Sequence, residues 1–315
     1  MRPSNAGPSQ ATLLAFAAVV LLGGVNAIAV KVTVAELAPF WSAALRFIAA
    51  GLLMLLLVAA TRRTLPGGRS LTGAVVYGVV GFAASFGFAY AGLRDVPAGT
   101  AMVLIALTPL LTFGLAIAHA QERFHAQGLF GALIAVVGVG IIFVDQLSAD
   151  VPLVSLLLVL GATAAIAESA VLFKGVPHSD PFATNAVAML TGGGLLLALS
   201  LVTSEPRVLP VQAGTWAAIG YLVVLGSVAM FALFLFTLQR WTASAVSYVT
   251  LLMPLVTVAV AAVLTDERIT MSFVLGGTVI LAGVYVGAFL KGRSDRSASG
   301  PPECLPIDTS RMTAS

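Results

Sequence analysis

Two charged side chains fall inside long apolar stretches of this 315-residue chain, and they bound the chemistry open to it: Arg46 and Glu168. A guanidinium presents several donors in a rigid fork that matches carboxylate geometry. Arg46 stands seven residues into its stretch, roughly 10 Å of helix. An ionisable group at that depth is costly and normally faces a partner or a cavity. Ser42, Ala49 and Ala50 lie at i−4, i+3 and i+4. These are small or polar, so the face is unlike one that meets lipid. The competing reading is an arginine that snorkels to the headgroups. Glu168 either takes up a proton or cation, or pairs with Lys174 at i+6, a poor spacing for one helix face. Asn26, also inside an apolar stretch, either holds a ligand or makes an interhelical hydrogen bond.

Weaker signals surround these three. Tyr77, Gly81, Ser85 and Phe88 recur at i, i+4, i+8 and i+11, a stripe of rings and a hydroxyl that suits either a bundle core or a binding surface. Ser244, Ser247, Tyr248 and Leu251 form a similar stripe. Pro109 and Pro254 lie near the middle of their stretches. Each removes a backbone donor and clashes with the preceding turn, so both helices should kink there, as hinges or as plain packing kinks. Glu122-Arg123 and Glu267-Arg268 read as interfacial anchors at helix ends. The three histidines are scattered, and the single Cys304 allows neither an intramolecular disulfide nor a metal cluster. No phosphate loop or other cofactor motif appears. Paired intramembrane acids and histidines with metal-ligand spacing are missing too, which argues against an enzyme.

The elements that must position these residues follow from composition. The chain is 59% hydrophobic and 9% charged, against about 25% charged in an ordinary soluble domain. Its mean hydropathy is +1.04, so lipid must be the solvent for most of its surface. A spanning helix needs about 20 predominantly apolar residues. Ten runs qualify: 11–31, 39–60, 71–93, 97–119, 127–144, 152–173, 182–203, 215–237, 243–264 and 272–290. They are too long and too uniformly apolar for barrel strands. The first is long for a signal peptide and is read as a retained helix. Residues 1–10 and 291–315 read as polar, disordered tails, and 145–151 as a loop between halves. With a cytoplasmic N-terminus, eleven Lys and Arg fall inside and four outside, which places both termini in the cytoplasm. A net charge of +3 confined to loops is a topology signal and not a nucleic-acid footprint.

The chain also repeats itself. An offset of 145 positions pairs Pro109 with Pro254, Thr112 with Thr257, Glu122-Arg123 with Glu267-Arg268, Gly131 with Gly276 and Gly138-Val139 with Gly283-Val284. Five runs per half is an odd number, so the second half enters the membrane from the opposite side. Residues 11–144 and 152–290 would then be inverted five-helix repeats, the device by which many secondary transporters alternate access to a midplane site.

Gly24-Val25-Asn26 with Lys31, Pro39-Phe40 with Arg46, and residues 98–143 with their echo at 243–287 resemble the drug/metabolite transporter superfamily, specifically its ten-helix EamA-type members. The tryptophan that often precedes the first-helix glycine there is replaced by Leu22-Gly23. The resemblance implies two five-helix bundles around a central cavity and export of amino acids or related small metabolites across the cytoplasmic membrane. Small multidrug members couple to protons through a first-helix glutamate. This first helix has no acid, which leaves Glu168 as the coupling candidate. Arg46, Asn26, Ser42, Tyr77, Ser85 and Tyr248 are the candidate substrate contacts. A passive channel and a membrane-embedded enzyme are the competing classes.

Overall fold

A computed structural model describes residues 8–92, 95–96, 98–144, 151–177, 179–265 and 271–289. Most of the two tails and of the 145–151 loop, together with Glu267-Arg268, lie outside the described residues. No strand occurs among those described. Nine helices among them are long and apolar enough to cross a membrane: α1 (Gln10–Val34), α2 (Pro39–Ala60), α3 (Gly68–Gly92), α4 (Thr100–Ala118), α6 (Leu153–Lys174), α7 (Pro181–Val202), α8 (Ala213–Arg240), α9 (Ala243–Val260) and α10 (Met271–Ala288). The fifth apolar run forms a shorter helix, α5 (Ala126–Ile142) of 17 residues, about 25 Å long.

The helices start where the sequence supplies a device for starting them. Pro39 and Pro181 open α2 and α7, where a missing N–H costs nothing. Asp180 caps α7 by accepting from the Phe182 and Ala183 amides. Arg62, Ala120 and Ser204 adopt positive φ just beyond α2, α4 and α7. The next residue's N–H then bonds back to the helix, Arg63 to Val58 at 3.0 Å and Glu205 to Ser200 at 3.0 Å. This left-handed C-terminal turn satisfies orphan carbonyls and aims the following side chain along the bundle.

Glycine governs two close helix pairs. α2 packs on α7, with Gly51 against Leu190 and Gly193 against Ile48. α5 packs on α10, with Gly131 against Gly283 and Gly138 against Gly276. Within each pair every contact occurs twice with the partners exchanged, at an offset of 142 in the first and 145 in the second. Rising residue numbers on one helix meet falling numbers on the other, so both pairs run antiparallel. Without a hydrophobic force between helices in lipid, such close approach supplies the dispersion contact that holds them.

The ends of α2 and α7 are tied by the same exchange. Arg63, after α2, forms an ion pair of 2.6 Å with Asp180 at the start of α7. Glu205, after α7, accepts from the Phe40 and Trp41 amides at the start of α2 at 3.2 and 2.9 Å.

The two proline helices differ from the expected matching mid-helix kinks. α4 is interrupted at Ala106-Leu107 and restarts at Thr108, so Pro109 stands in a first turn. The carbonyl that proline leaves without an amide, Ile105, is met by the Thr108 hydroxyl at 2.5 Å. Pro254 lies inside a continuous stretch, Val249–Thr265, and the break in α9 comes earlier, at Tyr248.

A Cβ at Gly138 would sit 2.7 Å from the Gly276 carbonyl, whereas one at Gly140 meets nothing within 4 Å. Gly138→Val should therefore lower stability by about 1–3 kcal/mol, read as a depressed melting temperature in detergent. Gly140→Ala should leave it unchanged. Equal melting temperatures for the two variants would contradict the packing described.

Candidate functional site

Arg46 is buried, with 4% of its surface exposed, and it points into the bundle. The snorkelling reading is thereby excluded. Its Nε donates to the Ser227 hydroxyl and its Nη2 to the Gly226 carbonyl, both at 2.8 Å. Asn26 on α1 donates to the same carbonyl at 3.2 Å and contacts the Met230 sulfur at 3.7 Å. Three helices, α1, α2 and α8, thus converge on one peptide group.

That peptide is exposed to them by a local change of helix type. α8 passes through a π segment, Val224–Ala229, and α3 has one at Gly78–Ala84. Such segments are rare and frequent at functional sites. Gly226 is required by proximity, because a Cβ there would lie 2.0 Å from Asn26 Oδ1. That oxygen is buried and has no hydrogen-bond partner among the described residues.

No carboxylate pairs with Arg46 among the described residues. Placing an arginine at the centre of a spanning helix costs about 2.5–3.5 kcal/mol. Two hydrogen bonds from a charged donor, at about 1.5–3 kcal/mol each, offset that cost. They leave the positive charge without a counter-ion. The phenols of Tyr90 and Tyr221 lie within electrostatic reach of the guanidinium, and the Tyr221 hydroxyl is itself fixed to the Leu22 carbonyl at 2.9 Å.

The remaining expected residues divide between this centre and the core. Ser42 is buried one turn before Arg46 on α2. Tyr77 is packed among rings, 5.5 Å from Phe82 and 5.4 Å from Phe173. Phe82 continues the cluster to Phe47 and Phe231, each at 4.9 Å. The Ser85 hydroxyl is spent on the Gly81 carbonyl at 2.5 Å. Tyr248 belongs to a different cluster, its hydroxyl donating to the Gly128 carbonyl at 3.1 Å.

Glu168 does not pair with Lys174. Lys174 Nζ donates to the carbonyls of Leu238, at 2.8 Å, and of Trp241, because six residues along a helix are about 1.7 turns and set the two side chains about 120° apart around its axis. Glu168 Oε1 instead meets His119 Nε2 at 3.1 Å.

Two acids close the ends, Glu36, which carries no signal in the sequence, and Glu122, read there as an interfacial anchor. Glu36, between α1 and α2, accepts from the Thr215 hydroxyl and from the Val211 and Gln212 amides at the start of α8. The Thr215 hydroxyl first, then the Val211 amide, holds its carboxyl below the usual carboxylate range. At the other end, Glu122 accepts from the Ser244 amide at 3.1 Å and from the Ser244 hydroxyl. A groove of about 590 Å³, lined by Phe40, Phe88, Leu158, Leu195 and other apolar groups of α3 and α7, opens elsewhere on the bundle and does not include Arg46.

This architecture defines a multi-pass α-helical membrane protein with a polar centre enclosed by apolar helices. The chain belongs to the EamA-like transporter family, which it matches over residues 10–144 and again over 153–288, and so to the drug/metabolite transporter superfamily. It is 26% identical over 289 residues to a probable amino-acid metabolite efflux pump of Escherichia coli strain K12, covering 86% of this chain and 92% of that one. The namesake protein of Salmonella typhimurium is 24% identical over 283 residues, with coverage of 86% and 92%. An uncharacterized transporter of Archaeoglobus fulgidus is 25% identical over 276 residues, with coverage of 87% and 97%. A solved crystal structure shares the fold, with a TM-score of 0.77, 21% identity, and coverage of 91% of this chain and 100% of that one. The chain is a membrane transporter.

If Gly226 is glycine because Asn26 occupies the space of a Cβ, Gly226→Ala should destabilise the protein and Asn26→Ala should relieve it. The double variant should then melt above the Gly226→Ala single variant. Additive losses, measured in detergent, would show that the two positions do not meet.

Proposed function

We propose that this protein is a secondary transporter that exports amino acids or related small metabolites across the cytoplasmic membrane by alternating access. In this reading it has ten spans in two inverted five-helix repeats, with both termini cytoplasmic. The exchanged contacts of α2 with α7 and of α5 with α10 support the inverted arrangement, as does the matched placement of π segments in α3 and α8. The eleven-to-four Lys/Arg distribution supports the orientation. The names of the relatives at about 25% identity support the substrate class.

The observation that carries the reading is the buried Arg46 with no carboxylate partner among the described residues. A guanidinium oriented by Ser227 and Gly226 is preorganised for an anion arriving from outside the protein, and a low-dielectric surrounding strengthens that pairing. A substrate carboxylate is the natural counter-ion. Ser42 lies on the same face, and the unpartnered Asn26 Oδ1 is an acceptor beside it. Both ends of the bundle are tied, one by Glu36 and Glu205 and the other by Arg63–Asp180 and Glu122–Ser244. The conformation is therefore read as occluded, with access requiring one set of ties to open at a time.

Cells loaded with labelled amino acids and assayed for efflux test this. Arg46→Ala should reduce export at least tenfold, about 1.4 kcal/mol of lost interaction. Arg46→Lys, which keeps the charge and loses the fork, should fall between it and the parent. Parent-rate export by Arg46→Ala, inserted at the parent level, would overturn the assignment.

A further inference from the structure

We propose that His119 and Glu168 form a proton site that couples transport to a proton gradient by latching and releasing the end of the bundle assigned to the cytoplasm. The inference rests on the transporter reading above and adds to it an energy source. It also replaces a lone carboxylate with a pair.

Glu168 sits six residues before the end of α6, inside the apolar span. A permanent neutraliser would suffice if the carboxylate were only structural. Lys174 is on the same helix, but its ammonium is held by two backbone carbonyls of the α8–α9 junction. The partner chosen is an imidazole, the side chain whose charge changes most readily between pH 5 and 8. His119 stands at the C-terminal cap of α4, so the pair joins an α4 that belongs to the first repeat to an α6 that belongs to the second. Gln121 reinforces the same seam, donating to the Val171 carbonyl at 2.8 Å.

The seam is left incompletely satisfied. Glu168 Oε2 and Gln121 Oε1 are buried and have no hydrogen-bond partner among the described residues. A buried acceptor left so costs about 1–3 kcal/mol. The pair as a whole is half-buried, with 38% of the His119 side chain and 27% of the Glu168 side chain exposed.

The other charged and titratable groups around this part of α6 are committed elsewhere or lie apart. From α3, Tyr77 packs on Phe173 and Arg69 borders a shallow groove with Leu172 and Val176. Beyond α4, Glu122 is bonded to Ser244 at the start of α9. At the end of α8, the Arg240 guanidinium stacks on Phe236 at 3.6 Å. Asp95 bonds Ser155 at the opposite end of α6.

The step is a proton transfer without other chemistry. With a neutral imidazole 3.1 Å from the Glu168 carboxylate, the pair carries a net charge of −1. A proton from water adds to the imidazole, and the pair becomes a neutral carboxylate–imidazolium latch between α4 and α6. Loss of that proton returns the uncompensated carboxylate and weakens the latch. The 145-residue offset places Leu264 in the position of His119, so the second repeat carries no equivalent pair. The sensitivity is confined to one end, which is what a directional coupling needs.

Reconstituted protein in liposomes separates this inference from the function it rests on. The probe is a mixture of the twenty radiolabelled L-amino acids, assayed both for equilibrium exchange and for accumulation driven by a pH gradient. The parent protein should show both, and the accumulation should vary with pH. Glu168→Gln and His119→Ala should keep exchange within about twofold of the parent and lose at least tenfold of the driven accumulation, with its pH profile flattened. Exchange by the parent without driven accumulation would overturn the proton site and leave the transporter reading standing. So would full driven accumulation in either variant, or loss of exchange and accumulation together. Absence of exchange in the parent would overturn both.

Discussion

A guanidinium enclosed by lipid-facing helices must be satisfied by the protein itself, and most of the arrangement around the centre follows from that requirement. Arg46 needs acceptors at mid-bundle, where a regular helix has already used its carbonyls internally. α8 supplies them by passing into a π segment at Val224–Ala229 and presenting the Gly226 carbonyl and the Ser227 hydroxyl. Asn26 then locks α1 to the same peptide, and Gly226 must lack a side chain for it to do so. The charge is solvated but meets no carboxylate among the described residues, which separates this arrangement from an ordinary buried ion pair.

Around that centre the bundle is built from contacts made twice. Glycines let α2 approach α7 and α5 approach α10, each against the residue that its counterpart touches in return. The left-handed turns after α2 and α7 place Arg63 and Glu205 at corresponding positions, and each reaches the start of the other's helix. The two ties differ chemically, one an ion pair with a capping aspartate and the other a carboxylate on bare amides. The ends of the transporter can therefore respond differently although the backbone plan is shared. The His119–Glu168 pair, without a counterpart at Leu264, extends that asymmetry.

Much of this is legible in the amino-acid sequence through hydropathy and a fixed offset. Nine of the ten apolar runs form helices long enough to span, and the fifth run, at Ala126–Ile142, is present but short. Arg46 stands out because a charge deep in an apolar run has few ordinary explanations, and Asn26 for a related reason. Ser227 does not, because a serine in an apolar helix carries no signal until something polar is known to face it. Gly81 and Gly226 are related by the same 145-residue offset, and that pairing is a signal for the π segments of α3 and α8, though not for a third π segment, Tyr285–Phe289, at the end of α10. Glu36, Glu205 and His119 lie at helix ends, where charges are common and their partners are set only by tertiary packing. Proline positions are plain in the sequence, but their consequence is not: α4 breaks before Pro109, while α9 carries Pro254 without interruption. Helix packing decides whether such a kink becomes a break.

The central claim is that the unneutralised charge of Arg46 awaits a substrate carboxylate. Binding of matched ligand pairs to the purified protein tests it most directly, each pair being an L-amino acid and the amine formed by removing its carboxyl group. At least one acid of the panel should bind ten times or more tightly than its amine, and the difference should vanish in Arg46→Ala. Equal affinities for acid and amine across the panel, or a preference that survives in Arg46→Ala, would contradict it.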